Sequence, residues 1–195
     1  MRLRRVCVFS GSSPGARPEY AAAARALGEA AVRRGLGLVY GGAKVGLMGV
    51  VADAVLAAGG EAIGVIPTAL MTKEVAHSGL THLRVVGSMH ERKAQMAELS
   101  DAFVALPGGI GTLEELTETL SWAQLGLHAK PCGVLNAGGY FDRLIAFLDH
   151  ATEERFLAPQ HRAMLLVAER PDELLDRLDA YVPPAVERWL DREET

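Results

Sequence analysis

Short apolar runs alternate along the chain with longer stretches in which apolar positions recur at helical spacing. The runs fall at 6–9, 36–40, 62–66, 83–86, 102–106, 133–135 and 164–167. Several, such as Ala102 through Leu106, are apolar at every position, which is how a strand covered on both faces of a parallel sheet reads. Helical spacing occupies 18–34, 46–58, 88–100, 112–127, 140–152 and 171–180. The first of these opens on Pro18, whose fixed φ and missing N–H suit the first helical position. Strand and helix in alternation predict a doubly wound, Rossmann-like α/β fold with a mainly parallel sheet of about seven strands and right-handed crossovers. The stretch 67–81 has no convincing period; it reads as a long connection that can carry a short helix or close over a site. No linker, low-complexity segment or fixed repeat interrupts the pattern. One domain over 1–182 is expected, followed at 183–195 by a tail or short helix.

Composition narrows the class. Of the 195 residues, 49% are hydrophobic and 23% charged, which excludes a disordered chain. A chain of this length buries roughly 70% of its unfolded surface and needs no staples. The net charge of −4 gives no global pull toward nucleic acid or anionic membrane, so neither is expected as a partner. Cys7 and Cys132 lie far apart in apolar runs, with no CxxC and no Cys/His cluster. They read as small buried hydrophobes in a reducing compartment, not as metal ligands or a redox pair. The apolar run ending at Phe9 is too short for a signal-peptide core or a bilayer span, so a cytoplasmic setting is expected.

In an open parallel sheet, ligands bind outside the carboxyl ends of the strands. The residues following the strands are Ser10-Gly-Ser-Ser13, Tyr40-Gly-Gly-Ala-Lys-Val-Gly-Leu-Met-Gly49, Gly87-Ser-Met-His-Glu-Arg-Lys93 and Pro107-Gly-Gly-Ile-Gly-Thr-Leu-Glu-Glu115. Glycine-rich turns opening helices free backbone N–H groups for an anion, and a phosphate is the natural guest. Neither a Walker loop nor a full dinucleotide fingerprint is present. One such turn alone could be tight strand–helix packing; several on one edge favour a phosphate ligand.

Two charged residues stand out. Met89, Arg92 and Met96 share a helical face, and an arginine on an apolar stripe either joins a structural ion pair or faces a cleft and meets an anion. Ser88 and Glu91 match an S-x-x-E capping box, which makes Glu91 a helix-start residue. Thr112-Leu-Glu-Glu115 matches the same pattern, so on local chemistry Glu115 reads first as a cap, and only its place beside the PGGIGT turn argues for catalysis. The residues alone support a phosphate-ligand binder with an arginine and a glutamate near the phosphate.

Pro107 through Glu115 matches the PGGxGTxxE motif of the LONELY GUY (LOG) family, cytokinin riboside 5′-monophosphate phosphoribohydrolases long mislabelled as lysine decarboxylases. Met89-His-Glu-Arg-Lys93 resembles the second family motif. The resemblance extends to Tyr40 through Gly49, Ser10 through Ser13 and Trp122 through Gly126, in order and spacing. Ala43 departs from it, standing where many members have a third glycine. Ser121 stands where plant members have threonine. The resemblance implies cleavage of the N-glycosidic bond of an N6-modified adenosine 5′-monophosphate to free base and ribose 5-phosphate, without metal or cofactor. The implied catalytic residues are Arg92 and Glu115. The implied substrate contacts are Glu74, Lys93, Gly108, Gly109, Ile110, Gly111, Thr112, Leu113, Glu114 and Ser121, with Ser12 and Gly42 added from the neighbouring turns. A carboxylate suits an oxocarbenium-like transition state and the attacking water, so that role falls to Glu115. Arginine stays protonated, so Arg92 is given a hydrogen-bonding role toward phosphate or departing purine. The resemblance also implies a homodimer, in keeping with Leu113, Leu116, Leu120 and Leu125, an apolar set larger than one sheet face obviously needs.

Three other readings remain. A pyridoxal-dependent decarboxylase needs a Schiff-base lysine, and the chain has only Lys44, Lys73, Lys93 and Lys130, none in a cofactor motif. A non-catalytic nucleotide binder would leave Glu115 as a cap. A general AMP or purine-monophosphate nucleosidase would share all the chemistry and differ in the pocket for an N6 substituent.

Overall fold

Alternation within β1 (Arg5–Phe9) sends Val6 and Val8 to one side of the sheet and Cys7 and Phe9 to the other. Both sides are apolar because both are covered. The structure, a computed structural model, describes residues 3–71 and 76–185. β1 is followed by α1 (Pro18–Arg33), β2 (Gly37–Tyr40), α2 (Gly46–Ala57), β3 (Ala62–Pro67), the single turn α3 (Thr68–Met71) and β4 (His82–Val86). Then come α4 (Met89–Leu99), β5 (Ala102–Ala105), α5 (Ile110–Gln124), β6 (Cys132–Leu135) and a 3-10 turn (Ala137–Gly139). The described chain closes with α6 (Asp142–Glu153), α7 (Pro159–Arg162), β7 (Leu165–Ala168) and α8 (Pro171–Asp179).

The seven strands form one sheet in the order β4-β3-β2-β1-β5-β6-β7, and every pairing is parallel. The chain winds outward from β1 to β4, returns through α4 to β5, and winds outward the other way. The reversal puts a crevice between the carboxyl ends of β1 and β5, where Phe9 lies in register with Ala105. On one face, Leu27 of α1, Val51 and Val55 of α2 and Leu174 of α8 pack with Val8, Leu38 and Tyr40. On the other, Met96 of α4, Leu116 of α5 and Phe141 pack with Phe9, Val39, Val65 and Phe103. Burying one such leucine contributes roughly 2 kcal/mol.

The doubly wound fold is as expected, with corrections in detail. α5 begins at Ile110, ahead of the expected Thr112, with Gly109 as its N-cap. Three of its four expected leucines are not surplus, while Leu125 stands half-buried at the C-cap, outside the cluster they join. Leu116 is fully buried, and Leu113 and Leu120 pack against the same core cluster, so this stripe gives no independent argument for a second subunit. The connection at 67–81 does carry a short helix, and its later part lies on the turn after β2. Ala76 bridges Ala43 in antiparallel fashion, His77 N–H donates to the Gly42 carbonyl at 2.9 Å, and His77 Nε2 is 2.9 Å from Asp53 Oδ1. The positive φ in this turn falls on Gly42 (+75°) and Gly46 (+57°), so alanine at 43 is tolerated. Residues 183–185 are irregular, and the rest of the expected tail lies outside the described residues. Among the described residues no helix is long and apolar enough to cross a membrane.

Candidate active site

The turn between β5 and α5 presents its amides and hides its carbonyls. The Pro107 carbonyl accepts from Gly11 N–H at 3.0 Å, and the Gly109 carbonyl accepts from Leu113 N–H at 3.2 Å as α5 begins. The Gly108 carbonyl accepts from the Tyr140 hydroxyl. Gly109 is the N-cap, no side chain caps the helix, and Gly109, Ile110 and Gly111 are exposed. The leading N–H groups of α5 therefore face open space at the positive end of a helix, as an anion site requires. A Cβ on Gly108 would overlap Thr112 Oγ1 and come within 2.8 Å of Gly11 N, so only glycine lets these two loops meet. Leu47 N–H donates to the Gly11 carbonyl at 3.0 Å and ties in the third loop.

This geometry overturns the capping-box reading of Glu115. Thr112 stands inside the first turn of α5, and Glu115 lies beyond that turn with no N–H to cap. Ser88 behaves as expected: its Oγ accepts from Glu91 N–H at 3.1 Å while Glu91 Oε2 accepts from Gly87 N–H at 2.7 Å.

Arg92 and Met96 are the buried residues of α4, whereas Met89 is exposed. Arg92 Nε donates to the Val65 carbonyl at 3.1 Å, and Nη1 lies 3.2 Å from Glu115 Oε1. Both side chains are about nine-tenths buried. The guanidinium fits because residue 41 is glycine, since a Cβ there would overlap Arg92 Nη2. The approach to Glu115 pairs the charges without hydrogen-bond alignment, and Oε1 has no hydrogen-bond partner among the described residues. Burial pushes the Glu115 carboxyl above the ordinary glutamate range. Arg92 pulls it back only in part, and Glu114 adds to the rise. A desolvated carboxylate with an oxygen that lacks a hydrogen bond, beside a fixed cation, is suited to take a hydrogen bond or a proton.

Lys93 Nζ is clasped by Glu114 and by Glu118, the latter at 2.9 Å. Burial alone would depress its pKa, but the hydrogen bonds it donates to the two carboxylates outweigh this and raise it. An amine held charged in this way is the opposite of a Schiff-base lysine, which needs a neutral nitrogen. Lys130 Nζ donates to the Ala97 carbonyl.

The remaining expected contacts divide. Gly108, Gly109, Ile110, Gly111 and Thr112 form the turn itself, and Glu114 reaches Lys93. Leu113 turns into the core. Ser12 is exposed on the β1 loop, packed by its backbone against Gly46. Gly42 is buried, its open side filled by Ile66 and Leu83. Ser121 is exposed about 9 Å further along α5 than Glu115, its hydroxyl donating to the Thr117 carbonyl. Glu74 lies outside the described residues. Sequence reasoning missed Glu118, the Val65 carbonyl and the role of Gly41. Of these only Glu118, one helical turn after Glu114, left a trace in the spacing. Among the described residues no three His, Cys, Asp or Glu side chains are grouped to hold a metal ion.

Fold and site together define a doubly wound α/β protein with an anion-receiving turn and a buried carboxylate–guanidinium pair at the switch point of its sheet. The fold is shared with the molybdenum cofactor carrier protein of Chlamydomonas reinhardtii (TM-score 0.68, 21% identity, 92% of this chain and 100% of that one). It is shared also with the molybdenum cofactor binding protein of Rippkaea orientalis (TM-score 0.66, 24% identity, 90% and 95%). At such identities the likeness is one of fold. A family model described as "Possible lysine decarboxylase" matches residues 48–178. The probable cytokinin riboside 5′-monophosphate phosphoribohydrolase LOGL9 of Oryza sativa subsp. japonica is 57% identical, over 93% of this chain and 80% of its own. Cytokinin riboside 5′-monophosphate phosphoribohydrolase LOG7 of Arabidopsis thaliana is 48% identical, over 93% and 84%. The chain belongs to the LOG family.

Proposed function

We propose that this protein is a phosphoribohydrolase that cleaves the N-glycosidic bond of cytokinin riboside 5′-monophosphates, releasing free base and ribose 5-phosphate. The observation that carries the proposal is the Glu115 carboxylate, buried, charge-paired with Arg92 through an oxygen that lacks a hydrogen bond, on the helix whose leading turn offers only N–H groups. The names and identity of the relatives support the same reaction.

In this reading the 5′-phosphate rests on the amides at the start of α5, which places the ribose over Glu115. As the bond from C1′ to the purine nitrogen breaks, the bonding pair leaves with the purine and positive charge builds on the ribose ring. The carboxylate stabilises that charge and takes a proton from the water that adds to C1′. The purine takes up a proton from solvent as it departs, Glu115 releases to solvent the proton it took from the water, and Arg92, fixed by the Val65 carbonyl, donates hydrogen bonds toward base or phosphate. Glu114 and Glu118 hold Lys93 beside the turn. Glu74 and Ser121 belong to the reading as further contacts suggested by family resemblance, and Ser12 and Gly42 as contacts from the neighbouring turns.

A single domain, a cytoplasmic setting and a homodimer complete the proposal, with no nucleic-acid partner. The two free, buried thiols suit a reducing compartment. The dimer is supported by exposed Met89 and Ile110 and by a groove of about 650 Å³ between α4 and α5, in which Ala94, Ala97, Trp122 and Leu127 stand among charged residues such as Lys93, Glu98 and Glu118.

The test is Glu115→Gln, which keeps the shape and removes the charge. Turnover of isopentenyl-AMP is expected to fall by a factor on the order of 10² or more, with circular dichroism indicating a folded protein. A folded, fully active variant would remove Glu115 as the catalytic carboxylate, and a wild type without turnover would return the protein to the nucleotide-binding class. Comparing kcat/KM for AMP and isopentenyl-AMP separates a cytokinin-directed enzyme from a general nucleosidase.

A further inference from the structure

Tyr140 follows the 3-10 turn after β6 and belongs to none of the glycine turns, yet its hydroxyl donates to the Gly108 carbonyl in the middle of the proposed phosphate turn. Its ring is held edge-on by Tyr20 (centroids 5.5 Å apart, planes at 77°) and by Phe141 (5.1 Å, 89°). Arg17 reinforces this arrangement, lying 5.3 Å over the Tyr20 ring and donating from Nη1 to the Gly138 carbonyl at 3.1 Å. Tyr140 is nevertheless 40% exposed, so core burial alone does not call for it. Its neighbours fix the ring and aim one hydroxyl at one carbonyl.

That carbonyl belongs to a peptide between two glycines. Space around Gly109 is open, so side chains offer little resistance to rotation of the Gly108–Gly109 peptide. A rotated peptide would trade an outward N–H for an outward carbonyl, and a carbonyl oxygen facing a phosphate repels it. The Pro107 and Gly109 carbonyls are held by backbone donors, whereas the Gly108 carbonyl is held by a side chain from another loop.

We propose that Tyr140 is a positioning residue for the 5′-phosphate of the substrate, locking the Gly108–Gly109 peptide with its N–H toward the anion. The proposal rests on the phosphoribohydrolase reading and adds a residue from outside the family motifs. Tyr140→Phe keeps both ring contacts and removes only the hydroxyl. Its KM for a nucleoside 5′-monophosphate is expected to rise about tenfold, with kcat falling less than about threefold. The dissociation constant of ribose 5-phosphate, measured by calorimetry, rises by the same factor. The preference for nucleotide over unphosphorylated nucleoside, as a ratio of kcat/KM, falls about tenfold. A purely structural role would weaken nucleoside and nucleotide alike. That pattern, an unchanged KM and ribose 5-phosphate affinity, or a variant that does not fold would each overturn the proposal. If the wild type cleaves no nucleotide, the functional reading fails; weaker ribose 5-phosphate binding by Tyr140→Phe would still uphold the positioning role.

Discussion

Burial holds the Glu115 carboxyl above the ordinary glutamate range, and that direction fixes how activity and stability respond to pH. In the proposed mechanism the ionised form steadies the ribosyl cation, so kcat should climb with pH through the raised pKa. The acid limb of its pH profile is therefore expected above the value of about 4.3 typical of a free glutamate, and no such limb should remain in the residual activity of Glu115→Gln. The stability contribution has the opposite sense. Between the unfolded and the raised folded pKa the native state binds more protons than the unfolded chain, so this group's contribution falls as pH rises through the window. Urea titrations across that window should show a smaller fall for Glu115→Gln than for wild type. At this scale the sequence was partly legible. Helical spacing put Arg92 on the buried face with Met96, but Met89 stays exposed, and Glu115 looked like a cap because local spacing cannot reveal where a helix actually starts.

At the scale of elements, what assembles the site is mostly missing side chains. Gly108 lets the loop after β5 touch the loop after β1, and Gly41 leaves room for the Arg92 guanidinium across the sheet edge. In Gly41→Ala the new Cβ meets the far end of a flexible side chain, so the chain should fold and the guanidinium should shift. The expected result is a fall in kcat/KM on the order of 10²-fold with a melting temperature within a few degrees of wild type, read by steady-state kinetics and calorimetry. Unaltered kinetics would mean that the position of Arg92 does not matter. The glycines themselves were visible in the sequence, and their clustering pointed correctly to this edge. Their separate tasks were not visible, because a glycine that frees an amide and one that makes room for a neighbour are written identically.

For the whole molecule, the reversal of strand order between β1 and β5 brings together loops that are some hundred residues apart in sequence, as in the bond from Gly11 N–H to the Pro107 carbonyl. Since Leu113, Leu116 and Leu120 of α5 are used on its own sheet, the proposed homodimer draws its support from the groove between α4 and α5 and from exposed Met89 and Ile110. Sedimentation equilibrium at micromolar concentration is expected to give twice the chain mass. A monomer with full activity would remove the second subunit from the proposal.

Local patterning carried the alternation of strand and helix, the edge where the glycine turns gather, and the arginine and glutamate residues of the candidate site. Those features are local: period, turn chemistry and residue type are properties of neighbouring positions. Packing set the rest: Glu115 is buried against Arg92 instead of capping α5, Lys93 is clasped by Glu114 and Glu118, and Tyr140 reaches the Gly108 carbonyl. Each of these depends on groups from different elements meeting in a medium from which water has been excluded. Desolvation and distance, which set the charge state of Glu115 and the direction of the turn's carbonyls, come into being only when the layers close.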